Sequence, residues 1–135
     1  MSKTVSYQNL RQAITSLEKT ISALGRVSDP DIVNGLKAGI VQNFEFTYEL
    51  AWKCIARWLA QNTPDARNSS LPKRQLFRLA ADYGLIAEQG QWFDFNDSRN
   101  LTSHTYDGGI VDEKVSVAES FVPVVKDLLR RLEAE

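Results

Sequence analysis

The residues of this chain that are best suited to chemistry lie between positions 98 and 107, SRNLTSHTYD, which include its only histidine. Arg99 lies five positions before His104, and Asn100 lies four positions before it. A histidine titrates near neutral pH, so it can take a proton from a ribose 2′-hydroxyl or give one to a leaving oxygen. A guanidinium makes fixed, bidentate contacts to phosphate oxygens and stabilises the charge that develops on them. These residue types therefore suit cleavage of a phosphodiester bond in RNA.

The spacing of these residues has an ordinary structural explanation as well. Successive residues of a helix turn by ~100°, so on one helix Asn100 and His104 share a face, whereas Arg99 and His104 point ~140° apart. A curled arginine side chain or a second subunit across a two-fold axis would bring both groups to one target. A lone histidine near a helix end is more often a capping or packing residue, and Tyr106 is typical of amphipathic packing. The pattern alone favours the structural explanation.

The sequence predicts neither a metal nor another cofactor for this site. A single histidine without clustered cysteine and histidine ligands makes a zinc site improbable. Cys54 is the only cysteine, which excludes an intramolecular disulfide and suits a reducing cytosol, and its apolar helical setting predicts a buried, inert thiol. No stretch approaches the length of a membrane span, and residues 1–12 contain no apolar signal region. We therefore expect a cytoplasmic protein that does not bind a membrane.

The net charge of −1 provides no general positive field for nucleic acid, so any RNA binding must depend on a local patch. One candidate patch consists of four cations, for which a solvated helix face is the commoner explanation: Arg67, Lys73, Arg74 and Arg78. Three tryptophans could offer stacking surfaces for bases, but their helical setting favours core or interface packing: Trp52, Trp58 and Trp92.

The spacing of apolar residues predicts helices almost everywhere. A length of 135 residues fits one domain over residues 1–135. About five helices are expected. The first ends near Gly25, the second runs from Ser28-Asp29-Pro30 to about Asn62, and the third is ended by Gly84. The fourth covers residues 91–104 and stops at the DGG of residues 107–109, and the last is kinked or divided by Pro123. The pattern predicts an all-α, up-and-down helical bundle.

Two blocks of the sequence resemble a known family: QNFEFTYELAWKCIARWL at 42–59 and GLIAEQGQWFDFNDSRNLTSHTYD at 84–107. They are similar to the nucleotidyltransferase substrate-binding protein family of the HEPN superfamily, and the likeness runs from about Leu10 to the end of the chain. The resemblance implies a helical bundle that forms a homodimer. It also implies a minimal nucleotidyltransferase partner encoded by a neighbouring gene, and many such pairs behave as toxin–antitoxin systems.

The HEPN motif consists of an arginine, a polar residue, three more positions and a histidine. Arg99, Asn100 and His104 match it, and the resemblance assigns them to metal-independent cleavage of RNA. Tyr106 matches the extended form of the motif, in which the partner enzyme transfers AMP to the tyrosine and silences the nuclease.

Three interpretations remain open after the resemblance is taken into account. In the leading one, the chain is a dimeric ribonuclease toxin that cleaves tRNA or mRNA at an Arg/His site in the dimer interface and is silenced by its antitoxin partner. In the second, it is a non-catalytic subunit that presents substrate to the nucleotidyltransferase. In the third, it is a helical dimer that has lost nuclease activity. Large aromatic residues that a second subunit could bury also favour a dimer; the candidates are Phe46, Trp52 and Trp58.

A further polar pattern lies within the first of the two blocks. Glu45, Glu49 and Lys53 follow each other at intervals of four residues, and therefore lie on one face of the predicted second helix. A stripe that faces a partner and a plain solvated stripe are equally good explanations of this spacing.

Overall fold

The computed structural model describes residues 7–64, 71–101 and 108–134. These residues form five helices: α1 (Gln8–Leu24), α2 (Pro30–Asn62), α3 (Lys73–Asp82), α4 (Gln89–Asn100) and α5 (Gly108–Glu133). No strand occurs in the described ranges. The prediction of an all-α bundle with about five helices is confirmed.

Helix α2 is the central element of the bundle, because it packs against each of the other four helices. Its 33 residues give it a length of about 50 Å at 1.5 Å per residue. The predicted start is confirmed: the Asp29 carboxylate accepts hydrogen bonds from the backbone N–H groups of Asp31 at 2.9 Å and Ile32 at 3.3 Å. Pro30 follows in the first turn, where the absence of an N–H group costs nothing.

Aromatic side chains in the core fix the position of α4. Trp92 is fully buried and lies edge-on to Phe121 of α5, with 5.7 Å between ring centroids. Phe95 also meets Phe121 edge-on at 4.9 Å, and Trp92 contacts Tyr48 of α2 at 6.3 Å. Edge-to-face aromatic pairs contribute about 0.5–1.5 kcal/mol beyond the burial of their surface. These contacts hold α4 against both α2 and α5, and they confirm the packing role expected of Trp92.

The fourth helix ends earlier than the sequence predicted. Its last helical residue is Asn100, and Leu101 has an extended backbone with φ −65° and ψ 117°. Gly108 and Gly109 belong to the first turn of α5 and do not terminate α4. The asparagine at the end of α4 and the Thr-Ser pair after Leu101 are weak helix formers, because their side chains compete for backbone hydrogen bonds. The angles between Arg99, His104 and Tyr106 on one continuous helix therefore do not apply.

Two other expectations concern single residues. Pro123 lies inside α5, which continues on both sides of it, so the proline does not divide the last segment into two helices. Cys54 is buried as expected, and burial raises the pKa of its thiol, which keeps the sulfur in its unreactive protonated form. In the described part of the chain, no helix combines the length and the apolar character that a membrane span requires.

Candidate active site

Arg99 lies in the last turn of α4, where its guanidinium faces two carboxylates of α2. Its Nη1 atom is 3.8 Å from Oε1 of Glu45, and its Nε atom is 3.6 Å from Oε2 of Glu49. Both distances exceed that of a hydrogen bond, so these contacts are ion pairs only. The Nε atom is buried but has no hydrogen-bond partner among the described residues. Arg99 is therefore held by charge, and its directional donors are not used by the two carboxylates.

A buried lysine on α5 completes this group of charges. Lys114 is 1% exposed, and its Nζ atom lies 3.4 Å from Oε2 of Glu45. Glu45 thus has one cation at each carboxylate oxygen, Arg99 at Oε1 and Lys114 at Oε2. Lysines are almost never fully buried unless they are paired, which gives Glu45 a structural role. We call Glu45, Glu49, Arg99 and Lys114 the Arg99 cluster; its two carboxylates balance its two cations.

A hydrogen bond between α2 and α4 sets the position of Arg99 relative to the carboxylates. The Tyr48 hydroxyl donates to Oδ1 of Asn96 at 2.6 Å, and Asn96 lies one helical turn before Arg99. Burial raises the pKa of the Tyr48 phenol, with a smaller contribution from the negative charge of Glu49. The hydroxyl therefore stays protonated and able to donate at neutral pH.

The structure describes only part of the predicted catalytic set. Asn100 is exposed as the last residue of α4, next to Arg99, whose side chain is 34% exposed. The predicted acid/base His104 and the predicted AMP acceptor Tyr106 both lie outside the described residues. The described part of the motif thus places a cation, Arg99, at the end of a helix, where its partly exposed side chain can contact a ligand.

The structure divides the Glu45, Glu49 and Lys53 stripe between two settings. The two glutamates contact Arg99 of the same chain, whereas Lys53 is exposed and lies 5.8 Å from the ring centroid of Trp52. The sequence reasoning also missed Lys114. Its signal was its position, because Lys114 precedes the core residues Ala118 and Phe121 by four and seven positions and so lies on the buried face of α5.

A groove of about 490 Å³ lies between α4 and α5, but its lining is unsuited to binding a phosphate. It is lined mainly by apolar side chains, among them Trp92, Pro123 and Leu128. Asp127 is the charged residue in its lining, so the described lining contains no cation that could bind a phosphate. The Arg99 cluster, with its partly exposed guanidinium, is the better candidate for binding a phosphate.

The fold and the cluster define a helical bundle with a charged site at the end of α4, and comparisons with known proteins place it in a family. Residues 5–134 match the family described as nucleotidyltransferase substrate binding protein like, so the chain belongs to this family, as the resemblance predicted. A relative from Haemophilus influenzae, named probable ribonuclease HepT, is 39% identical over 73% of this chain and 71% of that protein.

Solved structures share the fold. The structure of HI0074 from Haemophilus influenzae, described as the fold of a substrate binding domain of a nucleotidyltransferase, has a TM-score of 0.87 and 29% identity. The match covers 95% of this chain and 99% of that one. A structure from Thermus thermophilus, with a TM-score of 0.74 and 23% identity over 91% of this chain and 98% of that one, has the same fold.

Proposed function

We propose that the protein is a metal-independent endoribonuclease, the toxin of a two-gene module, and that its single domain cleaves tRNA or mRNA with Arg99, Asn100 and His104. The observation that carries this proposal is the state of Arg99: it is one-third exposed, and the carboxylates it faces leave its hydrogen-bond donors unused. The name of the Haemophilus influenzae relative, probable ribonuclease, supports the same class of reaction.

In the proposed reaction, Arg99 holds the non-bridging oxygens of the scissile phosphate. The 2′-oxygen of the preceding ribose attacks phosphorus as His104 accepts its proton, and the bond from phosphorus to the 5′-oxygen breaks. The leaving 5′-oxygen takes up a proton, so the products are a 2′,3′-cyclic phosphate and a 5′-hydroxyl end. Asn100 orients the imidazole or the phosphate.

The Arg99 cluster explains how one arginine can exchange a carboxylate for a phosphate. A phosphate can approach the guanidinium to hydrogen-bond distance, about 2.7–2.9 Å for charged partners. The carboxylates stay farther away, at 3.6 and 3.8 Å. Lys114 compensates the charge of Glu45, so Arg99 is not restrained by two unbalanced carboxylates.

Substitution of the motif residues tests the nuclease. We expect Arg99→Ala and His104→Ala each to reduce cleavage of tRNA or mRNA substrates by ~10²–10⁴-fold, because the first removes the phosphate clamp and the second removes the positioned acid/base group. Wild-type cleavage should persist in EDTA. Arg26→Ala, which removes an exposed arginine of the α1–α2 connection, is the matched control and should retain full activity. Circular dichroism confirms that each variant is folded. Undiminished cleavage by His104→Ala would refute the mechanism, and loss of cleavage in EDTA would refute metal independence.

We further propose that a minimal nucleotidyltransferase partner silences the nuclease by modifying Tyr106. The phenol oxygen attacks the α-phosphorus of ATP and loses its proton, and the bond to the leaving pyrophosphate breaks. The new phosphodiester carries a negative charge, and a guanidinium of Arg99 that pairs with it is unavailable to RNA.

Intact-mass spectrometry tests this modification after incubation with the partner, ATP and Mg²⁺. The wild type should gain AMP-sized increments and lose nuclease activity, and Tyr106→Phe should show neither change. Tyr83→Phe, at a tyrosine on the surface between α3 and α4, controls for general loss of a phenol. Equal modification of Tyr106→Phe would place the acceptor elsewhere, and neutralisation without modification would mean inhibition by binding alone.

The second candidate function is a non-catalytic subunit that presents substrate to the nucleotidyltransferase. It is favoured by the match to HI0074, described as a substrate binding domain of a nucleotidyltransferase. A wild-type protein that binds the nucleotidyltransferase but cleaves neither tRNA nor mRNA would support this function over the nuclease.

A further inference from the structure

A small groove lies between the start of α3 and the middle of α4, close to the Arg99 cluster. It is lined by Pro72, Lys73, Arg74, Phe77, Phe93, Asn96 and Asp97. Its volume of about 240 Å³ is below the ~300–1,000 Å³ of pockets that enclose small ligands. The groove therefore suits contact with a segment of a longer molecule that passes across it.

The cations at this groove rest on aromatic rings. Nζ of Lys73 lies 4.3 Å from the ring centroid of Trp52, and Cζ of Arg74 lies 5.0 Å from that of Phe93. Neither cation forms an ion pair with another described residue, nor does Lys53, which also lies beside Trp52. Their positive charge is therefore positioned by the rings and remains available to an anionic partner.

Several other cations in the described part of the bundle are paired with carboxylates. Lys126 of α5 pairs with Glu18 of α1 at 2.9 Å, and Lys37 of α2 pairs with Asp112 of α5 at 2.8 Å. In the groove between α3 and α4, by contrast, two cations without ion pairs outnumber the one carboxylate of the lining, Asp97, on a chain whose net charge is −1. The aromatic rings beneath Lys73 and Arg74 distinguish these two members of the predicted patch from an ordinary solvated helix face. Of the other members, Arg78 is exposed and Arg67 lies outside the described residues.

The geometry of α4 connects the groove with the motif. Phe93, Asn96 and Asn100 follow each other at intervals of three and four residues and so lie along one face of the helix. Arg99 itself lies three residues after Asn96, about 4.5 Å along the axis and ~60° around it. A strand whose phosphate is held at Arg99 can therefore reach the groove within a few nucleotides.

From this arrangement we infer that the groove binds the single-stranded RNA segment next to the scissile phosphate. Lys73 and Arg74 contact backbone phosphates, and the exposed guanidinium of Arg74 stacks a base on the side away from Phe93. The Asp97 carboxylate offers oxygen acceptors to amino groups of that base. The inference rests on the proposed ribonuclease function and adds to it the surface that orients the substrate strand.

The dependence of RNA affinity on salt tests this inference. His104→Ala protein keeps a labelled single-stranded RNA intact, and fluorescence anisotropy gives its affinity between ~0.05 and ~0.3 M salt, the range over which phosphate contacts weaken strongly. Adding Lys73→Gln and Arg74→Gln should reduce the slope of log K against log salt by about 1.4, at about 0.7 per lost phosphate contact. The matched control adds Lys19→Gln and Arg26→Gln, an equal charge change at positions on and just beyond α1.

In the otherwise wild-type enzyme, the Lys73→Gln/Arg74→Gln pair should raise KM for RNA and leave kcat nearly unchanged. A salt slope equal to that of the control, or an unchanged KM, would overturn the inference. If the wild type still cleaves RNA in that case, the proposed function is unaffected. If the Lys73→Gln/Arg74→Gln protein binds RNA normally but no longer binds the nucleotidyltransferase, the groove is a protein interface. That result would also overturn the inference. A wild-type protein that does not cleave RNA, together with a His104→Ala protein that does not bind it, would overturn both proposals.

Discussion

Glu45 contacts both cations of the Arg99 cluster, so its removal should lower the free energy of unfolding more than removal of Glu49. Glu45→Ala leaves the ammonium group of Lys114 buried, without the one ion pair it forms among the described residues. Removing one partner of a buried pair typically costs about 3–5 kcal/mol. Because the Glu45 side chain is 29% exposed, we expect the lower end, a loss of about 3 kcal/mol in the free energy of unfolding, measured by urea denaturation.

Glu49 provides the matched control for this experiment. It lies one turn along the same helix, is similarly exposed at 35%, and contacts Arg99 but not Lys114. Glu49→Ala should therefore cost less than about 1 kcal/mol, as is typical of partly exposed pairs. Equal losses in the two variants would show that the burial of Lys114 does not depend on Glu45.

At the scale of residues, the sequence predicted the members of the site but not their contacts. Arg99 and Asn100 followed from the chemistry of the motif, and Glu45 and Glu49 from their spacing. A spacing of four residues shows that two side chains share a face, but not which neighbouring helix covers that face. The pairing of Arg99 with two glutamates depends on the packing of α4 on α2, a distant part of the chain, and no local pattern contains this information.

At the scale of elements, the hydrogen bond from Tyr48 to Asn96 should hold α4 in place on α2. Tyr48→Phe removes this bond and leaves the oxygen of Asn96 without its donor, so we expect a loss of about 1 kcal/mol at pH ~7. Because the folded-state pKa of Tyr48 is raised, the unfolded chain releases the phenol proton first, near pH ~10. The stabilisation is therefore complete below pH ~10 and is lost as the pH rises further.

Urea denaturation of the wild type and Tyr48→Phe at neutral pH and above pH ~10 measures both effects. The difference in free energy of unfolding between the two proteins should shrink at the higher pH. A difference that stays constant or grows with pH would contradict the assigned protonation state of Tyr48.

The ends of the helices were predictable to different degrees, because some are set by local capping residues and others by packing against distant parts of the chain. Helix α2 begins where a local cap, Asp29 followed by Pro30, can be read directly from the sequence. The end of α4 has no comparable capping signal in its sequence. From Ser98 onward, apolar residues do not recur at helical spacing, so the pattern does not show where the helix stops. The assignment of Gly108 to α5 also depends on how the last helix meets the bundle, which glycine propensity alone does not reveal.

At the scale of the whole molecule, exposed apolar side chains support the proposed homodimer. Phe46 is 60% exposed on α2, and Leu50, one turn later, is only partly buried. Large aromatic residues that are exposed in one subunit are frequent anchors of interfaces. We expect light scattering to show a dimer at micromolar concentration. Phe46→Arg should shift this dimer towards monomer, whereas Lys19→Glu, a matched surface change on α1, should not. A wild-type monomer would contradict the proposal.

The last prediction concerns whether one catalytic site needs both subunits. If Arg99 of one subunit acts with His104 of the other, inactive Arg99→Ala and His104→Ala chains should restore activity when they form a mixed dimer. Each mixed dimer then contains one complete Arg/His pair, so purified heterodimers carrying two different tags should recover roughly half of the wild-type rate. The two mutant homodimers are the controls and should stay inactive. Because α4 ends at Asn100, helix geometry no longer separates Arg99 from His104 within one subunit. An inactive heterodimer would therefore assign each complete site to a single chain.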